Sequence, residues 1–246
     1  MGKIVVITSG KGGVGKSTTA AMLGYNLKKN GNKTIIIELD VGLRSLDIML
    51  GVENDIGYDL SDILSGECEP YKAIRTSESM AGLQFIPAPG VVSSIVDNDR
   101  FVALCLALKK NYDYVIVDSP AGIGELFRIA IRAADEAIIV TTPDMVCMRD
   151  AQNISEILES EGVIKQRLLI NKLEKAAFRK SNIRDLDEVI DTVGVQLLGI
   201  IEQDKDLMDL SASGKLPRKD SLSAEEFSLV AGRIMGKEIP LKVYKY

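Results

Sequence analysis

The sequence predicts a three-layer α/β fold, a mostly parallel sheet with helices on both faces. Three observations predict it. Short apolar runs alternate with longer amphipathic segments along the whole 246 residues, which is the periodicity of strands exchanging with helices. The runs are rich in Val and Ile, as in Ile35-Ile36-Ile37 and Val115-Ile116-Val117, the composition of strands covered on both faces. A glycine-rich segment follows the first run and opens the first helical pattern, as a strand-loop-helix unit requires.

Seven strands are predicted: Lys3 to Thr8, Lys33 to Leu39, Leu83 to Ala88, Tyr114 to Val117, Glu136 to Thr141, Gln166 to Ile170 and Val195 to Ile201. Helical patterns lie between them at Ser17 to Asn30, Asp97 to Lys110, Glu125 to Ala134, Met145 to Ser160, Asn182 to Val193 and Ser223 to Met235. Gly214 to Ser223, with Pro217 and mixed charges, is expected to be a surface loop. No linker or repeat divides the chain, so one domain is expected over 1–236, with a short tail at 237–246.

With 46% hydrophobic residues the chain can bury a substantial core, which excludes disorder as the dominant state. A net charge of −5 supplies no global attraction to nucleic acid or anionic lipid, although a local basic patch still can. Cys68, Cys105 and Cys147 lie far apart, and there is no histidine, so neither a disulfide scaffold nor a zinc site is expected. The N-terminus has no long apolar signal region and no run reaches membrane-spanning length, so a cytoplasmic location is expected.

The chemistry starts at Gly10-Lys11-Gly12-Gly13-Val14-Gly15-Lys16-Ser17-Thr18. This string satisfies G-x-x-x-x-G-K-[ST] in the strand-loop-helix context that the motif needs, and predicts P-loop NTPase architecture. Its glycines let backbone N–H groups turn toward phosphate oxygens, and the helix amino end adds a favourable field. Lys16 can neutralise β and γ phosphates, and Ser17 can ligand magnesium. A side chain at Gly13 or Gly15 is expected to occlude the cradle. Lys11 is a second lysine in the same loop. It is either solvated or a cation directed at phosphate, and because Lys16 already fills the intramolecular position it can serve a site completed by a second subunit.

Parallel sheets place ligands beyond the carboxyl ends of their strands, so carboxylates there carry weight. Asp118 ends the run Tyr114 to Val117 and can hold magnesium through a water; the alternative is a strand-ending turn at Asp118-Ser119-Pro120. Asp40 lies beyond the second run and is preferred over Glu38, which is nearer the sheet interior, for positioning the attacking water. Its alternative is a cap or turn before Gly42. Asn171, followed by Lys172 after another run, can read a base edge, but its bonding inventory does not choose adenine over guanine.

The loop Gly10 to Ser17, with its extra lysine, resembles the deviant Walker A loop of the MinD/ParA ATPase family. Three further stretches resemble the MinD branch: Asp40-Val41-Gly42-Leu43-Arg44-Ser45-Leu46-Asp47, Asp118-Ser119-Pro120-Ala121-Gly122-Ile123, and Thr142-Pro143-Asp144-Met145-Val146-Cys147-Met148-Arg149-Asp150. The similarity spans about residues 3 to 235. It implies an ATPase using ATP and Mg2+ that forms an ATP-dependent homodimer and turns over slowly without an activating partner. Lys11 would then reach the partner's phosphates, Asp40 position water, Asp118 stand on the magnesium side and Asn171 contact adenine. Arg149 would fall in the surface helix met by an activating protein, or be an ordinary solvated arginine. The resemblance further implies division-site placement and recruitment of a septum-assembly inhibitor, with flagellar-number control and DNA segregation as duties of close relatives. DNA segregation would need a local basic surface, which the net charge opposes. The metal-cluster reductase branch lacks its paired cysteines here, and a small-metabolite kinase would transfer phosphate to an organic acceptor.

The tail departs from the family pattern. MinD proteins usually end in a basic amphipathic helix that inserts into the membrane. Here Pro240 interrupts Lys237-Glu238-Ile239-Pro240-Leu241-Lys242-Val243-Tyr244-Lys245-Tyr246, whose net charge is +2. Peripheral attachment to the cytoplasmic face of the membrane and simple packing against the domain stay equally open.

Overall fold

The computed structural model describes residues 2–41, 45–52, 57–89, 98–174 and 186–241. In chain order the strands are β1 (Lys3–Thr8), β2 (Thr34–Glu38), β3 (Arg75–Ser77), β4 (Leu83–Ile86), β5 (Tyr114–Asp118), β6 (Glu136–Thr141), β7 (Gln166–Leu173) and β8 (Leu197–Glu202). The helices are α1 (Lys16–Lys29), α2 (Ser45–Leu50), α3 (Leu60–Ser65), α4 (Pro70–Ala73), α5 (Asn98–Lys109), α6 (Glu125–Arg132), α7 (Met145–Ser160), α8 (Leu186–Val193), α9 (Lys205–Ser213) and α10 (Leu222–Ile234).

The strands form one sheet in the order β3-β4-β2-β5-β1-β6-β7-β8. Every pairing is parallel except β3 with β4. Alternation along each strand divides the core between the two faces. Ile4, Val6, Ile35, Ile37, Val115 and Val117 pack with Phe101, Phe127 and Leu158 of α5, α6 and α7. Val5, Ile7, Ile36, Ile116 and Ile138 pack with Leu23 and Leu27 of α1, Leu210 of α9 and Phe227 of α10. Each fully buried Ile or Phe contributes about 1.5–3 kcal/mol, so both helical layers are held mainly by apolar burial.

All seven predicted strands are present, with ends shifted by a few residues. The eighth, β3, is a three-residue edge strand in which Arg75 and Ser77 are buried and Thr76 is exposed, so it carries no apolar run. The unpredicted helices α2, α3, α4 and α9 are all short. Two of them do carry start signals: Asp59 forms a capping box with Asp62 at α3, and Asp204 accepts from the Asp206 N–H at α9. The predicted helix start at Asp97 and residues 182–185 of another predicted helix lie outside the described residues.

The first part of the tail packs against the domain. The Arg233 guanidinium donates to the carbonyls of Ile239 (3.1 Å) and Pro240 (2.9 Å). A Cβ on Gly232 would come within 2.3 Å of the Ile239 side chain, so the missing side chain makes the seat for Ile239. Residues 242–246 lie outside the described residues. Among the described residues no helix is long and apolar enough to cross a membrane.

Candidate nucleotide site

Because the central strands run parallel, their carboxyl ends deliver the loop after β1, Asp40, Asp118 and Asn171 to one edge of the sheet. Backbone bonds stitch these ends together. Ser119 N–H donates to the Ile7 carbonyl, Gly122 N–H to the Ser9 carbonyl and Leu39 N–H to the Asp118 carbonyl. A cleft of about 720 Å³ opens there, lined by Gly12, Gly13, Gly15, Lys16, Ser17, Thr18, Asp40 and Asn171 among others. That volume suits a nucleotide-sized ligand.

The loop's shape has identifiable causes. Gly15 has φ 102°, and a Cβ there would lie 2.1 Å from the Asn171 amide nitrogen. Two independent constraints therefore require glycine at 15. At Gly13 no protein atom lies within 4 Å of a built Cβ; the constraints there are φ 79° and the open cleft that the residue lines. Gly10 and Val14 do not line the cleft. A Cβ on Gly10 would strike Asp150 of α7 at 2.3 Å, and the Val14 side chain is buried in the core. Both shape the loop from outside the cleft.

The two lysines separate. Lys16, at the start of α1, is buried and lines the cleft. Lys11 is exposed and does not line it. Its charge lies near Asp144, whose pKa burial raises but which Thr142, the Cys147 N–H and Lys11 together hold below the usual value.

Asp118 is fully buried at the end of β5, and among the described residues neither of its carboxylate oxygens has a hydrogen-bond partner. Burial raises its pKa to about 7, opposed by the nearby Ser17 hydroxyl and Lys16 ammonium and reinforced by Asp40. A fully buried carboxyl group beside the Ser17 hydroxyl fits a magnesium ion held directly or through water. Asp40 is half-buried and lines the cleft; burial raises its pKa and Lys16 opposes the rise. Glu38 is fully buried. Its oxygens accept from the N–H groups of Leu46 and Ala88, both at 3.3 Å, so Glu38 tethers α2 and the chain after β4 and does not face the cleft.

Asn171 is buried, and its amide nitrogen donates to the Val14 carbonyl at 2.7 Å. Arg149 is exposed on α7, away from the cleft lining. Sequence reasoning missed one wall altogether: Leu207, Met208, Ser211 and Ala212 of α9 complete the cleft, and the Ser211 hydroxyl lies 3.1 Å from that of Thr18. The Asp204 cap was its available signal.

The AAA domain family matches residues 2–174. The septum site-determining protein MinD of Bacillus subtilis is 36% identical over 248 residues, covering 99% of this chain and 92% of that protein. The chain belongs to the MinD/ParA family of P-loop ATPases. The fold agrees: a MinC:MinD cell division protein complex from Aquifex aeolicus matches with TM-score 0.90 and 34% identity, covering 99% of this chain and all of that one. A MinD from Pyrococcus horikoshii, solved with Mg-ADP, matches with TM-score 0.85 and 25% identity over 97% of this chain and all of that one. In this MinD/ParA-family chain the cleft lies against the loop that carries both Lys11 and Lys16.

Proposed function

We propose that this chain is an ATP-driven dimerisation switch that acts in division-site placement. The observation that carries the reading is the separation of two lysines in one loop, Lys16 buried in the cleft and Lys11 exposed outside it. Lys16 serves the β and γ phosphates of its own ATP, while Lys11 extends to the phosphates held by a second copy. When bound with ATP, Mg2+ neutralises charge on the phosphates as it builds in phosphoryl transfer. Ser17 would hold it directly and Asp118 through a water. Asp40 orients the attacking water at the cleft, so positioning and charge stabilisation carry most of the rate. The loop amides from Gly12 to Thr18 grip the phosphates, and Asn171 offers its side-chain oxygen to the adenine amine.

Linkage requires that ATP favour the pair as strongly as pairing favours ATP. Hydrolysis then separates the copies, slowly for the isolated chain and faster with an activating protein or surface. The likeness to a MinD solved with MinC supports a septum-assembly inhibitor as a partner, and Arg149, exposed on α7, is the residue proposed for an activator contact.

Sedimentation in ATP and in ADP tests the switch. Pairing is expected in ATP alone; sedimentation that ignores nucleotide would sink the reading. Lys11→Ala should weaken both pairing and turnover, whereas Asp40→Ala should keep pairing and slow turnover. Liposome recruitment with and without 237–246 tests peripheral membrane association: ATP-only, tail-dependent recruitment supports it. Salt-sensitive DNA binding in ATP would instead favour a segregation role.

A further inference from the structure

β7 ends in an irregularity: its register with β8 slips between Ile170 and Leu173. Within that slip Lys172 takes φ 55°, left-handed backbone that, among described non-glycine residues, only Ala81 shares. Such a conformation is unfavourable for a long side chain, and bulges of this kind re-aim side chains. Here the re-aimed side chain crosses to the phosphate loop. The Lys172 Nζ donates to the Gly13 carbonyl at 2.6 Å, and the Asn171 amide nitrogen donates to the Val14 carbonyl at 2.7 Å.

Two consecutive side chains thus hold two consecutive carbonyls of the loop. In a planar trans peptide the carbonyl of one residue and the N–H of the next point in opposite directions. Holding the Gly13 and Val14 carbonyls toward β7 therefore turns the Val14 and Gly15 N–H groups away from it. Those are amides that a phosphate-binding loop must aim before its ligand arrives. Lys172 also lines the cleft.

We propose that Lys172 is a positioning residue for phosphate binding, using the β7 bulge to set the amide directions of the loop. The inference rests on the nucleotide-site reading above. It predicts a role in affinity for any phosphate-bearing nucleotide and no role in the water-attack step, which distinguishes it from Asp40.

The test compares Lys172→Asn with Lys172→Arg in the full chain. Asparagine tolerates left-handed backbone but cannot reach Gly13, whereas arginine keeps both charge and reach. Lys172→Asn should weaken ADP and ATP binding by about tenfold, because binding must then aim the loop amides itself. KM should rise while kcat at saturation stays within about twofold; loss of the Gly13 bond and relief of the left-handed backbone act in opposite directions on nucleotide-free stability, so the melting temperature without nucleotide should not fall. Lys172→Arg should restore affinity to within about threefold of wild type. Equal losses in both variants, affinity unchanged in Lys172→Asn, or a fall in nucleotide-free stability would each overturn the proposal. Wild-type chain that binds neither ADP nor ATP would instead overturn the nucleotide-site reading itself.

Discussion

Glu38 and Asp118 stand opposite each other on adjacent parallel strands, two fully buried carboxyl groups in register at the carboxyl edge of the sheet. Like charges so placed cannot both ionise without cost, and removal from water adds to it. Glu38 is pushed from 4.5 up to about 8, chiefly by burial and then by Asp118.

This pair makes stability depend on pH. The folded chain keeps a proton on Glu38 up to pH about 8, whereas the unfolded chain releases it near 4.5. Between those values the folded state binds the extra proton, so this group's stabilisation is complete below pH about 4.5 and is lost as pH rises through about 8. Denaturant unfolding of nucleotide-free chain should show stability falling across that window. Glu38→Gln should flatten the fall even though it loses one acceptor for the Leu46 and Ala88 N–H groups. Parallel pH curves for the two proteins would refute the assignment.

Asp118 gives a related prediction for the metal. Its carboxyl is protonated below pH about 7, and a cation or its bound water needs the charged form. Magnesium-dependent nucleotide binding should therefore weaken as pH falls below about 7 and release up to about one proton per site. Calorimetry in buffers of different ionisation enthalpy measures that release. Asp118→Asn should bind more weakly and lose the proton release; release undiminished in that variant would assign it to another group.

At the loop, Gly15→Ala should cost about 1–3 kcal/mol from left-handed backbone alone and add a collision with the Asn171 amide. Asn171→Ala removes the collision and leaves the backbone strain. A double-mutant cycle in stability should accordingly give a coupling of about 0.5–3 kcal/mol, with the double variant less destabilised than the two singles combined. Simple additivity would mean that the close approach does not govern the loop.

The strand-loop-helix start was legible because a single local string dictates it, and Asp118 was legible because a buried strand ending in a carboxylate is a local pattern too. What stayed hidden depends on contacts between distant segments. Nothing near Gly10 in sequence shows that Asp150 will pack on its Cα. The left-handed turn at Lys172 follows from a register slip against β8, which no periodicity encodes. The α9 wall was missed because nine residues with Met208 exposed make a weak apolar face.

The tail yields the last prediction. Arg233 donates to the Leu198 carbonyl of β8 and pairs with buried Glu226 at 3.0 Å, as well as holding the Ile239 and Pro240 carbonyls. Its planar fork joins α10, β8 and the tail at once, which a lysine cannot reproduce. Arg233→Ala should destabilise the fold by about 1.5–3 kcal/mol, because buried Glu226 and the Leu198 carbonyl lose a charged hydrogen-bond donor, and should also free the tail. Arg233→Lys separates the two effects: it retains a cation for Glu226 but cannot span both tail carbonyls. Trypsin cleavage after Lys237 should accelerate in Arg233→Lys while the melting temperature falls less than in Arg233→Ala. If cleavage kept its wild-type rate in both variants, the seat made by Gly232 for Ile239 would be holding the tail without the arginine.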